Sequence, residues 1–255
     1  MRTLEVTFTP AEFAALRQRD LSQTVCVVFD VLRATSSIIT ALGNGAAAVV
    51  PVEDIPEALA LRKQMPEVLL AGERDGLRIQ SELTGSIAFD LGNSPREFTR
   101  EKVAGKTIAM TTTNGTRALR ACAGARRVLI GSLLNLGAVA GYLSANSPDG
   151  LLLVCSGTFE QAAYEDVLGA GALSDLVWPL YKDGHVVDSA SMAHRLFQTE
   201  RTDLTEALSR SRNGRRLLSR PELRNDVAYC AQVDRIPLLA EMDKSGIVRS
   251  MQVKT

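Results

Sequence analysis

The chain has little that titrates near neutrality and little that is aromatic. It carries two histidines, His185 and His194, one tryptophan, and an aromatic fraction of 5%. With only two histidines, both late in the chain, neither a His-rich zinc site nor a phosphohistidine mechanism is expected. Its four cysteines, Cys26, Cys122, Cys155 and Cys230, form no C-x-x-C pair and each sits in or beside an apolar segment. Buried thiols in a reducing cytoplasm are expected. Net charge is absent too: 29 Lys plus Arg balance 29 Asp plus Glu among 255 residues. Nucleic-acid binding as a main role is therefore excluded, since phosphate neutralisation needs a basic surplus. The longest uncharged stretch, Val128–Pro148, is broken by Gly131, Asn135, Gly137 and Gly141. It predicts a buried strand followed by a small-residue helix, not a membrane span. Met1–Pro10 has no continuous apolar run or cleavage site, so no signal peptide is expected.

Short apolar runs and helical segments alternate along the chain. Strands are predicted at Leu4–Phe8, Thr24–Phe29, Ala47–Val52, Val68–Ala71, Thr107–Met110, Val128–Gly131 and Gly150–Cys155. Helices are predicted from Pro10 to about Arg19, and at Ala34–Asn44, Pro56–Gln64, Gly115–Ala123, Leu136–Ser144 and Tyr164–Leu180. Glu73–Gly92 reads as a long glycine-containing connection, of the kind that often carries function. Residues 188–234 read as helical throughout, and Leu238–Met242 with Ile247–Val253 as a closing hairpin. This order predicts one α/β domain over 1–255, a three-layer α/β/α fold with a largely parallel or mixed sheet. Segments 25–71 and 108–155 run in the same order and suggest an internal duplication.

Ligands of α/β sheets bind outside the carboxyl ends of strands. Four predicted strand ends carry polar residues: Asp30 to Ser36, Gly72 to Gly76, Thr111 to Arg117, and Ser156 to Thr158 with Glu165-Asp166 beyond. All four are expected at one edge. The run Thr111-Thr112-Thr113-Asn114-Gly115-Thr116-Arg117 offers hydroxyls, an amide and a cation at a helix start, which suits a phosphate. Helix capping alone needs only one such residue. Asp30 could be a metal ligand, a nucleophile or a cap paired with Arg33. Glu165-Asp166 could serve the helix dipole or supply oxygens to Mg²⁺. Familiar phosphate motifs fail: Gly105-Lys106-Thr107 precedes its strand and lacks the first P-loop glycine. No cysteine has an arginine six residues on, and Asp30 is followed two later by Leu32, not Asp.

Asp30-Val31-Leu32-Arg33-Ala34-Thr35, Gly72-Glu73-Arg74, Phe89-Asp90-Leu91-Gly92-Asn93-Ser94-Pro95, Thr112-Thr113-Asn114-Gly115-Thr116-Arg117 and the later Glu165-Asp166 resemble, in order and spacing, the 2-phosphosulfolactate phosphatase family. The resemblance covers Val25–Ala172 strongly. It implies a Mg²⁺-dependent acid phosphatase converting (2R)-2-phospho-3-sulfolactate to 3-sulfolactate and phosphate, a step toward coenzyme M. Departures from the family pattern stand at Ala88, Ser156, the segment 158–164 and Gly169. On this reading Asp30, Glu165 and Asp166 hold the metal, with Glu73 as a fourth ligand. Thr112, Thr113, Asn114, Gly115 and Thr116, with Thr35, hold phosphoryl oxygens. Arg33 and Arg117 balance transition-state charge. Arg74, Asn93 and Ser94 meet the carboxylate or sulfonate. The nucleophile is a metal-bound water, Asp30 or Cys155. Another phosphorylated 2-hydroxy acid as substrate, or a silent anion-binding protein, are the alternatives. A cytoplasmic homodimer is expected. The Arg-rich segment 210–224 is read as a solvated face, with an anion-steering rim as its alternative.

Overall fold

The computed structural model describes residues 1–251. The strands are β1 (Thr3–Thr7), β2 (Thr24–Phe29), β3 (Ala48–Pro51), β4 (Leu69–Arg74), β5 (Leu77–Arg78), β6 (Thr107–Thr111), β7 (Arg127–Gly131), β8 (Gly150–Cys155), β9 (His185–Val186), β10 (Ala240–Met242) and β11 (Val248–Ser250). They form one mixed sheet in the order β5-β4-β6-β3-β11-β10-β7-β2-β8-β1-β9. Helices cover its faces, so the three-layer α/β expectation holds. The end of the predicted strand Ile247–Val253 lies outside the described residues.

Local chemistry accounts for the elements. Thr-Val-Cys-Val-Val-Phe is apolar throughout because β2 is covered on both faces. Successive side chains alternate: Val25, Val27 and Phe29 enter one core, Cys26 and Val28 the other. Helix Ile55–Gln64 starts where the Asp54 carboxylate accepts the Glu57 N–H, has proline in its first turn, and ends on Arg62 and Lys63. The predicted helix 10–19 is shorter: a 3₁₀ turn Pro10–Glu12 runs into Phe13–Leu16. The connection 73–92 is not featureless. β4 runs on to Arg74 and turns back through Asp75-Gly76 into β5. The stretch 188–234 is four helices, Asp188–Glu200, Leu204–Arg210, Arg212–Leu218 and Asn225–Cys230.

The strand order places the site. β6 lies between β3 and β4, and β2 lies between β7 and β8, parallel within each triplet. The antiparallel β10–β11 hairpin joins the triplets, antiparallel to β7 on one side and to β3 on the other. The triplets therefore point in opposite directions. In a flat sheet their carboxyl ends would lie on opposite edges, so the expectation of one common edge is corrected. Accumulated right-handed twist raises two diagonal corners of such a sheet toward the same face. There the helices Ala34–Gly43 and Gly115–Ala121 pack over the middle. Ile38, Ile39 and Leu119 meet Val28, Met110, Ile130, Met242 and Val248 in the central core. One outer core, around Leu153 and Leu173, backs β2 and β8, and a smaller one, around Leu70 and Phe89, backs β4 and β6.

Phe29 anchors the end of β2. A Cβ at Gly131 would lie 2.6 Å from its Cζ, and one at Gly169 2.9 Å from its Cδ1. Two residues without side chains thus make room for the ring. Burying it contributes about 1.5–3 kcal/mol and fixes the residue that follows, Asp30.

Candidate active site

The carboxyl ends of β2, β4, β6 and β8 meet in a cleft of about 220 Å³. Asp30, Arg33, Glu73, Arg74, Asn93, Thr112, Thr113, Asn114 and Asp166 all line it, so most of the sequence-predicted residues converge. The two triplets touch at Gly115. A Cβ there would stand 2.8 Å from Asp30 Oδ2 and 2.6 Å from the Ala34 methyl. Gly115 lets the two helix starts approach and does not itself line the cleft.

Each buried carboxylate has a defined set of donors. Asp30 Oδ1 accepts the Ala34 N–H at 3.0 Å. Asp166 accepts the Val31 N–H at 2.8 Å through Oδ1 and the Gly157 N–H at 3.0 Å through Oδ2, tying the loops after β2 and β8 together. Glu73 Oε1 accepts from the N–H and hydroxyl of Thr113 at 2.9 and 2.8 Å, and Oε2 from the Gly76 N–H at 2.8 Å. Among these three, only Asp30 keeps an oxygen, Oδ2, with no hydrogen bond from the described residues. Glu165 is buried beside them, where the Asn213 amide donates to it, and it does not line the cleft.

The carboxylates raise one another's proton affinity. Burial pushes Asp30 up to about 7, helped by the charges of Glu165 and Glu73, against the Ala34 N–H and Arg33. Burial, then Asp30 and Glu165, hold Asp166 well above the usual carboxylate range. Burial raises Glu165 as well. Such repulsion in a desolvated site is relieved by protons or by a cation.

Arg33 does not pair with Asp30. Its guanidinium donates to Asp226 Oδ2 at 2.8 Å and to the Gly76 carbonyl at 2.7 Å. Ser94 donates to the other oxygen of Asp226 at 2.7 Å and lies behind the lining. The Asn93 amide does line the cleft, and its Oδ1 is buried without a partner. Thr35 is absorbed locally: its hydroxyl accepts the Asp30 N–H and donates to the Asp30 carbonyl. Thr116 bonds back to Thr112.

Two assignments to the reaction are corrected by position. Cys155 is fully buried in the outer core behind β8, does not reach the cleft, and burial holds its thiol well up. A protonated, inaccessible sulfur is no nucleophile. Arg117 is exposed, pairs with Glu160 at 2.8 Å, and lies outside the cleft.

Sequence reasoning missed Asp226, and it missed the wall that the late helices supply. Asn213, Arg216 and Leu217 line the cleft, and Arg212 donates to the Thr158 carbonyl at 2.8 Å. Within the Arg-rich segment Arg216 is therefore at the rim of the site, while Arg210, Arg212, Arg215 and Arg224 are exposed. The segment's visible signal was the density of arginine itself. Opposite it, Phe159 stands 60% exposed with φ +50°, and Arg212 lies 5.8 Å over its ring.

Among the described residues, no group of three or more His, Cys, Asp or Glu side chains is placed to hold a metal ion, and no helix is long and apolar enough to cross a membrane. The family model described as 2-phosphosulpholactate phosphatase matches residues 11–245. A probable 2-phosphosulfolactate phosphatase of Caldanaerobacter subterraneus is 40% identical over 244 residues, 94% of this chain and 96% of that protein. Proteins of the same description from Thermotoga petrophila (41% identical; 82% and 84% covered) and Gloeobacter violaceus (39%; 87% and 89%) are similar too. With the motif residues gathered at one cleft and similarity across nearly the whole chain, this protein belongs to the 2-phosphosulfolactate phosphatase family.

Proposed function

We propose that the protein is a Mg²⁺-assisted phosphatase hydrolysing (2R)-2-phospho-3-sulfolactate to 3-sulfolactate and phosphate. The observation that carries this is Asp30, which lines a cleft shared by buried carboxylates and arginines and whose Oδ2 accepts no hydrogen bond from the described residues. The names of the similar proteins support the substrate.

The donor set fits Mg²⁺. The oxygens are hard, Asp166 and Glu73 have both carboxylate oxygens engaged by N–H groups while Asp30 has one, and the orphaned Asn93 Oδ1 is a further neutral oxygen. Mg²⁺ commonly takes one or two carboxylates and completes its shell with waters and phosphoryl oxygens, so a closed cage is not required. Asp30 would be the direct ligand, with Asp166, Glu165 and Glu73 holding the loops and supplying negative potential. When bound, the cation supplies charge neutralisation and a more acidic water.

This chain's own groups do the rest. Arg33, held on two sides, presents its guanidinium to the phosphoryl oxygens without reorganising. Asn114 offers a donor from the loop after β6, which Glu73 holds in place through the N–H and hydroxyl of Thr113. Arg216 at the rim pairs with the exposed Asp75, at 3.1 Å, and can exchange that partner for an incoming anion.

The test is phosphate release from 2-phospho-3-sulfolactate with Mg²⁺, with EDTA, and with Asp30→Asn. Turnover that needs the metal and disappears in the variant is expected. Equal turnover in EDTA would remove the metal, and silence of the wild type on every 2-phospho acid would leave an anion-binding protein. A cytoplasmic homodimer goes with this reading, and sedimentation velocity checks the dimer.

A further inference from the structure

A second cavity, of about 460 Å³, adjoins the cleft. Arg74, Thr112 and Thr113 line both. Its other walls are Arg17, Arg117, Arg120 and Glu53. Four arginines thus converge from four places: the end of helix Phe13–Leu16, the end of β4, and two turns of helix Gly115–Ala121. Three are fixed by the protein. Arg74 donates to the Glu73 carbonyl at 2.7 Å and to the Thr111 hydroxyl at 3.2 Å. Arg117 pairs with Glu160, and Arg120 with Glu53 and Glu57. Among the described residues, Arg17 and Arg74 have no carboxylate partner, which leaves the groove with a positive surplus.

The cleft has the opposite balance. Asp30, Glu73, Asp75 and Asp166 line it against Arg33, Arg74 and Arg216. A phosphoryl group enters there with a cation. A second strong acid on the same ligand would face carboxylates. The nearest positive surplus is the groove, reached past Arg74 and Thr113.

We propose that this groove is a subsite for a second oxyanion of the substrate, with Arg17, Arg74 and Arg117 as its donors. The proposal rests on the phosphatase reading and assigns to the groove, through Arg17, the sulfonate that distinguishes 2-phospho-3-sulfolactate from 2-phospholactate. Arg117 then serves specificity, not the transition state.

The test compares 2-phospho-3-sulfolactate with 2-phospholactate, which lacks only the sulfonate, in wild type, Arg17→Gln and Arg17→Lys. One charge-assisted hydrogen bond of about 1.5 kcal/mol predicts that the ratio of kcat/KM for the two substrates falls about tenfold in Arg17→Gln. Most of the change should fall in KM, with partial recovery in Arg17→Lys. A ratio that stays at the wild-type value overturns the subsite. If no phosphate is released from either substrate, the phosphatase reading fails by itself. The groove is then judged by titrating methanesulfonate against the arginine Nε–H resonances. Saturable shifts lost in Arg17→Gln support it, and no saturable shift in the wild type overturns it.

Discussion

Asp226 and Arg33 form an ion pair 2.8 Å long, with side chains 0% and 3% exposed, across 193 positions of sequence. It joins the first strand-end loop of the cleft to helix Asn225–Cys230 near the other end of the chain. Ser94 donates to the second Asp226 oxygen, and Arg96 stands 3.6 Å from it, so the carboxylate serves three partners. A guanidinium so held can meet an anion in one orientation only.

Removing one member of a buried pair strands the other. Asp226→Ala should lower stability by about 3–5 kcal/mol, read by urea denaturation, and should depress kcat more than KM. Asp226→Asn keeps the volume and the Ser94 contact, so it should fold better than the alanine variant and still lose activity. Equal activity of Asp226→Asn and wild type would show that the pair is structural only.

Gly115 offers a steric test. Its Cβ position is crowded by Asp30 Oδ2 and Ala34, both set by the opposite triplet. Gly115→Ala should cost about 1–3 kcal/mol as overpacking and displace Asp30. Phosphate release should fall well beyond what the stability loss explains. Thermal melting and steady-state kinetics on the same preparation separate the two.

Asp30 should make the metal-free protein sensitive to pH. Its carboxyl is raised from about 3.9 when unfolded to about 7 when folded, mainly by burial. Stabilisation from its folded environment is fully present below pH about 4 and lost as pH rises through about 7. Asp166 and Glu165 shift in the same direction. Melting temperature in EDTA should therefore fall between pH 5 and pH 8. The fall should be shallower in Asp30→Asn, and added Mg²⁺ should stabilise more at pH 8 than at pH 5. A wild-type slope no steeper than that of the variant would contradict the raised value.

Cys155 gives the opposite expectation. Because the Cys155 side chain at the end of β8 enters the outer core, Cys155→Ala should cost about 1 kcal/mol as a small cavity and leave phosphate release near the wild-type rate. Loss of turnover in a variant with native melting behaviour would return the sulfur to the chemistry.

The strands and the polar loops after them were legible in the sequence because their causes are local. Thr24–Phe29 is apolar at every second and every intervening position because both its faces are covered. Asp30, Glu73 and the Thr112–Asn114 run follow apolar segments directly, and strand ends are where α/β sheets bind ligands. Arg117 and Cys155 looked equivalent to these by the same rule. They were not, because the direction of a side chain at a strand end depends on what packs behind it. Cys155 faces a core, and Arg117 lies one helical turn past the cleft.

By itself, then, the sequence determined most of the strands, the chemical character of the loops and the family. Tertiary structure decided which loops meet. Strand order and direction follow from pairings far apart in the chain: β2 between β7 and β8, β6 between β3 and β4, and the hairpin that turns one triplet against the other. Across that sheet the ends of β2 and β6 meet where Asp30 stands against Gly115. Only the return of the late helices places Asp226 behind Arg33. Hydrophobic period and capping act over a few residues, and neither encodes a contact 193 positions away.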